Sequence, residues 1–128
     1  MARRSIDVDT FWHLNPIPGA SIIGPLLKSG FVPSLTPGQR SVPDTFEEQI
    51  ANVFVHIGAL LDAAGGTLDD VIEISFMIAP GIDRSACNDA YVDHFPDEAA
   101  RPALSVSTHE DFPLDSIVAA TFTAYIES

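Results

Sequence analysis

The hydrophobic period of this chain changes sharply across Gly65-Gly66, and that switch limits what it can fold into. Upstream, Phe46, Ile50, Val53, Phe54, Ile57, Leu60, Leu61 and Ala64 recur at helical spacing, leaving Glu47, Glu48, Asn52 and Asp62 for water. Asp44 followed three residues later by Glu47 reads as a capping box that starts the helix, and the glycine pair stops it. His56 lies beside Ile57 near the edge of the stripe, where a partly buried or surface position is expected. Downstream, VIEISFMI from Val71 to Ile78 alternates, with Ile72, Ile74, Phe76 and Ile78 on one face and Val71, Glu73, Ser75 and Met77 on the other. A long amphipathic helix feeding a half-apolar strand calls for helix-on-sheet packing.

The flanks extend this pattern. From Ser21, SIIGPLLKSG places two short apolar runs around Gly24-Pro25, a hairpin signal. VPSLTPGQRSVPD carries three prolines and few apolar residues, and reads as an exposed loop. After Pro80-Gly81 a second helix is expected over Asp83 to Phe95, with Cys87, Ala90, Tyr91, His94 and Phe95 as its core stripe. A strand at Ala103 to Thr108, the loop HEDFPLD and a long alternating strand in SIVAATFTAYI close the chain. The expected class is α+β, a mixed sheet with two helices on one face. Met77, Ser105, Ser107, Ala119, Thr121 and Thr123 would form the other face, and its small, semi-polar character suggests subunit packing.

Composition removes several classes of function. With 128 residues, one domain at 15–128 behind an N-terminal arm at 1–14 is expected. Eighteen acidic against six basic residues give a formal net charge of −12, which repels phosphate backbones, so nucleic acid is not an expected partner. No apolar run reaches the length of a membrane span and the N-terminus lacks an apolar signal core, so a cytoplasmic protein without membrane partners is expected. The single cysteine, Cys87, rules out an internal disulfide and reads as a small core residue. The histidines at 13, 56, 94 and 109 are scattered, and no phosphate-binding loop or Cys/His spacing occurs. Neither a metal nor another cofactor is expected.

Ser29-Gly30 after the second strand, the run EQIANVFVHIGALLDAAGGTLDDVIEISFMI, the helix CNDAYVDHF, RPALSVS and the final IVAATFTAYI together resemble the Rid family of reactive-intermediate deaminases, also called YjgF/YER057c/UK114. The likeness runs over roughly residues 15 to 127. It implies a chorismate-mutase-like fold that assembles as a homotrimer, with the sheets forming a central barrel and small-molecule ligands bound in clefts between subunits. It also implies an arginine, in the pattern P-A-R-S, that clamps the substrate carboxylate, and a glutamate, in V-E-I-E, associated with the hydrolytic water. Ser29, Gly30, Asn88 and Tyr91 match the family pattern, and Phe31 follows the SG turn. P-A-R-S instead reads Pro102-Ala103-Leu104-Ser105, and V-E-I-E reads Val118-Ala119-Ala120-Thr121. Leu104 and Ala119 therefore stand where the arginine and glutamate belong.

Ser29, Gly30, Phe31, Asn88, Leu104, Ser105, Ala119 and Trp12 are thus the candidate substrate-binding residues. Arg101, His13 and His109 are the candidates for replacement chemistry. Arg101 is a rare cation able to reach a cleft from its rim or to serve as an ordinary loop residue. His13 has an imidazole suited to proton transfer near neutral pH, beside Trp12 and Asn15 in the arm, and the alternative is an arm anchored by a buried Trp12. His109, next to Glu110, sits in the loop before the last strand. Two functions compete. One is a divergent enzyme acting on a less polar imine, enamine or related metabolite by deamination, dehydration, tautomerisation or cyclisation. The other is a noncatalytic trimer binding a small molecule or a protein. Ribonuclease activity, attached to parts of the family, is disfavoured by the charge.

Overall fold

A computed structural model describes residues 2–14 and 16–127. Its elements run β1 (Arg4–Ile6), β2 (Ala20–Ile23), β3 (Leu26–Ser29), α1 (Phe46–Ala64), β4 (Val71–Ile78), α2 (Arg84–His94), β5 (Ala103–Thr108) and β6 (Val118–Tyr125). The strands form one six-stranded sheet in the order β1-β2-β3-β6-β4-β5. Only β4 and β5 pair in parallel, as their connection through α2 requires. The N-terminal arm contributes β1, which lies antiparallel to β2 at the sheet edge.

Helix α1 matches the periodic stripe, but its cap sits one residue later than Asp44. Thr45 is extended, its Oγ1 accepts from the Glu48 amide, and its hydroxyl donates to the Glu48 carboxylate. The Glu48 carboxylate meets the Thr45 hydroxyl and not its backbone N–H, so the helix start has the threonine half of the expected capping box, one residue later. Gly65 ends the helix at φ 87°, a left-handed value that glycine adopts without strain. Val53, Phe54, Ile57, Leu60 and Leu61 then pack with Ile74, Phe76, Phe122 and Ala124 of the sheet in one continuous core.

Strand β4 departs from simple alternation. A register irregularity between Val71 and Glu73 turns Val71 inward and leaves Ile72 about half exposed. From Ile74 onward the expected faces hold. Met77 pairs with Ala119 and Ser107, Ser75 with Thr121 and Ser105, and Glu73 with Thr123, which places all six anticipated residues on the side away from α1. Glu73 organises part of that face: it accepts from the hydroxyls of Ser75 at 2.6 Å and Thr123 at 2.9 Å, and Lys28 lies 4.0 Å from it.

Three further expectations need correction. The loop after β3 is not simply exposed: Val32, Pro33, Ser34 and Leu35 are buried, because a bridge between Val32 and Ala120 continues the β3–β6 pairing past Gly30. In α2, Cys87 and Phe95 are buried but His94 is exposed, its ring stacked on Phe54 with centroids 3.6 Å apart. Burial raises the Cys87 thiol to about 11, against a smaller opposing effect of Arg84, which leaves it unreactive.

His56 is fully buried, not at an edge. Its Nε2 lies 2.7 Å from the Leu35 carbonyl and must donate there, so Nδ1, 3.0 Å from the Thr10 hydroxyl, accepts in the neutral ring. Burial holds its pKa below the ordinary 6.5, outweighing the bond to Leu35. The unfolded chain therefore binds this proton first as pH falls. The stability due to neutral His56 is complete above pH 6.5 and is lost as pH falls below that value toward the lower folded-state pKa. Urea midpoints should fall on acidification through this range, and the His56→Gln variant should show a smaller fall.

Candidate functional site

The arm and the loop after β3 close on each other to form a cleft. Phe11 is buried and meets the rings of His56 and His13 edge-on, with centroids 4.9 Å and 5.8 Å away. The Gly38 amide donates to the Thr10 carbonyl at 2.8 Å, and Arg40 Nη1 donates to the Trp12 carbonyl at 3.1 Å. The guanidinium carbon also lies 5.7 Å from the centre of the Trp12 ring, within cation–π range. On the far side Gln49, buried at the start of α1, accepts from the Ser34 hydroxyl and the Ile117 amide and donates to the Pro43 carbonyl. One side chain thus fixes three loop segments.

Between these segments lies a cavity of about 140 Å³, with Trp12, His13, Phe31, Arg40, Val42 and Leu114 in its lining. Its walls are mostly apolar, and the charge comes from Arg40. Atom Nε2 of His13 is shielded from solvent and has no hydrogen-bond partner among the described residues. Leu114 and Asp115, at the lip, have φ of 56° and 60°. A left-handed backbone at two consecutive non-glycine residues costs of order 1–3 kcal/mol each, and such strain gathers at ligand sites.

Of the anticipated residues, Trp12, His13 and Phe31 share this cleft. Trp12 is 42% exposed, so it forms a wall and does not anchor the arm in the core; Phe11 has that role. Asn15 lies outside the described residues. Ser29 is buried, and its hydroxyl is engaged with the Gly30 carbonyl and the Phe122 amide, tying β3 to β6. Gly30 donates its amide to the Gly19 carbonyl.

The remaining candidates sit elsewhere in the subunit. Asn88 is exposed on α2. Arg101 donates Nε to the Phe95 carbonyl at 2.8 Å, closing the end of α2. Leu104 pairs with Ile74 and packs against the core, whereas Ser105 faces the other way and shares a 2.7 Å contact with the Ser75 hydroxyl. Ala119 is wholly buried opposite Met77, and His109 is exposed with Nε2 2.9 Å from the Ser107 hydroxyl. Strands β6 and β4 separate β3 from Leu104 and Ser105 on β5, whereas Ala119 on β6 adjoins Ala120, which bridges to Val32 beside the cleft residue Phe31. Sequence reasoning passed over Arg40, whose only signal was being one of six cations in an acidic chain.

Comparison with known proteins fits this architecture. The sequence profile of the endoribonuclease L-PSP family matches residues 21–124, most of the chain. The chain belongs to this family, the Rid or YjgF family. A RutC family protein of Aquifex aeolicus is 25% identical over 84 residues, covering 66% of this chain and 67% of that protein. A Rid-family protein of unknown function from Yersinia pestis superposes with a TM-score of 0.88 at 23% identity, covering 98% of this chain and all of the other. RidA from an Antarctic Psychrobacter gives 0.87 at 22% identity, covering 96% and 99%. These likenesses establish the Rid fold, with its mixed sheet and two helices. No helix among the described residues is long and apolar enough to cross a membrane.

Proposed function

We propose that this Rid-family chain works in the cytoplasm as a homotrimer whose intersubunit clefts take a small imine, enamine or related metabolite, and that it is not a standard 2-imino acid deaminase. The observation that carries this reading is the absence of charge at both decisive positions: Leu104 packs among core residues and Ala119 is fully buried. Leucine and alanine can neither clamp a carboxylate nor hold a water for hydrolysis. The chemistry would fall to other groups, such as the imidazole of His13 beside the apolar walls of Trp12 and Phe31. A specialised pathway would be its setting. Loss of both groups equally favours the second reading, a noncatalytic trimer that binds a small molecule or a protein partner.

The trimer is supported by the sheet face away from α1, which is small and semi-polar, and by the exposed Leu14 and Ile17 beside the cleft. Assembly would bring the group on β5 next to the arm of a neighbour. RNA is an unsuitable ligand, since a net charge of −12 repels its backbone. Light scattering should return three times the 13.7 kDa chain mass. A monomer at micromolar concentration would contradict the intersubunit site.

A further inference from the structure

We propose that Arg40 is the anion anchor of the cleft, and that the cleft takes a small flat monoanion, a carboxylate joined to an apolar body about the size of one aromatic ring. The inference rests on the reading above that this cleft is a ligand site, and it names what enters.

The cation is unspent. The chain carries eighteen acidic side chains, yet among the described residues Arg40 forms no ion pair. Asp44 and Asp115 line the adjoining hollow on which Arg40 also borders, and neither is paired with it. One N–H group is committed, to the Trp12 carbonyl, and the guanidinium is held near the Trp12 ring. A guanidinium fixed in this way loses little freedom when its other N–H groups take a carboxylate in a two-pronged contact. It also comes from a loop, Gly38 to Val42, well away from Leu104 in the sequence.

Size and lining define the rest of the ligand. A cavity of about 140 Å³ is close to the ~150 Å³ apolar cavity that admits benzene. Trp12 and Phe31 provide aromatic surfaces for a flat body, with Val42 and Leu114 as aliphatic ones. The His13 ring lines the same cavity beside them. A dianion would suit the site poorly, because a second charge would meet an acidic chain with no second cation in the lining.

Trp12 is the only tryptophan, so its emission reports occupancy directly. Phenylacetate and its neutral isostere phenylacetamide are titrated into the wild-type protein, Arg40→Gln and, as a control for overall charge, Arg3→Gln at the exposed N-terminus. The wild type should bind phenylacetate saturably and at least about tenfold more tightly than the amide, the least expected of a charge-assisted contact. Arg40→Gln should abolish that preference while keeping the amide affinity, and Arg3→Gln should preserve it. No saturable binding, equal affinity for acid and amide in the wild type, or an unchanged preference in Arg40→Gln would overturn the proposal. The wild-type comparison decides even if Arg40→Gln folds poorly. Oligomeric state and imine turnover are read independently of Arg40, so failure of the anchor is distinguishable from failure of the family-level reading.

Discussion

Phe76→Ala should lower the free energy of unfolding by about 3–5 kcal/mol, as for other buried phenylalanines. Phe76 is fully buried at the middle of the sheet, beside Ala120 on β6 and Val106 on β5, with the Phe54 ring of α1 5.9 Å away and tilted by 61°. Ala120 is too small to fill the space the ring would leave, and Phe54 is held from behind by the stacked His94. A cavity would remain and the aromatic contact would be lost. Ile72→Ala, on the same strand and of the same parity, should change stability by no more than about 0.5 kcal/mol, the usual range for surface sites. Urea titration of both variants is sufficient. Equal losses would contradict the register irregularity at Val71 that sets Ile72 outside.

That pair of residues marks where the sequence was informative about the fold and where it was not. The helix from Phe46 and the strands at 71–78, 103–108 and 118–125 were legible because their burial is periodic and locally encoded. The bulge was not, since whether Val71 or Ile72 faces inward depends on pairing with β6, some fifty residues away. His56 was misjudged for a related reason: its hydrogen bonds go to Thr10 and Leu35, which periodicity within one helix cannot reveal.

The site was legible only in part. Trp12, His13 and Phe31 were picked out and do share a cleft. Arg40 was not, because a loop rich in proline gives no pattern from which to infer that a side chain turns back onto the arm. Ser29 was picked out by resemblance, and here its hydroxyl is occupied in joining two strands. The groups on β5 lie two strands from the cleft in one chain, so their relation to it depends on assembly.

The central claim concerns Leu104 and Ala119. Charge-assisted hydrogen bonds contribute about 1.5–3 kcal/mol each, so the loss of a carboxylate clamp and of a water-positioning carboxylate should together cost about two to four orders of magnitude in kcat/KM. No arginine or glutamate elsewhere on β5 or β6 takes the place of either. Arg101, three residues before Leu104, is tied to the Phe95 carbonyl, and the nearest carboxylate described on that sheet face, Glu73, is engaged with Ser75 and Thr123. The most direct test is the rate at which the purified protein hydrolyses 2-iminobutanoate, measured beside a family member that retains both the arginine and the glutamate. The account predicts turnover at least about a hundredfold below that reference; turnover equal to it would contradict the claim that Leu104 and Ala119 remove the standard chemistry.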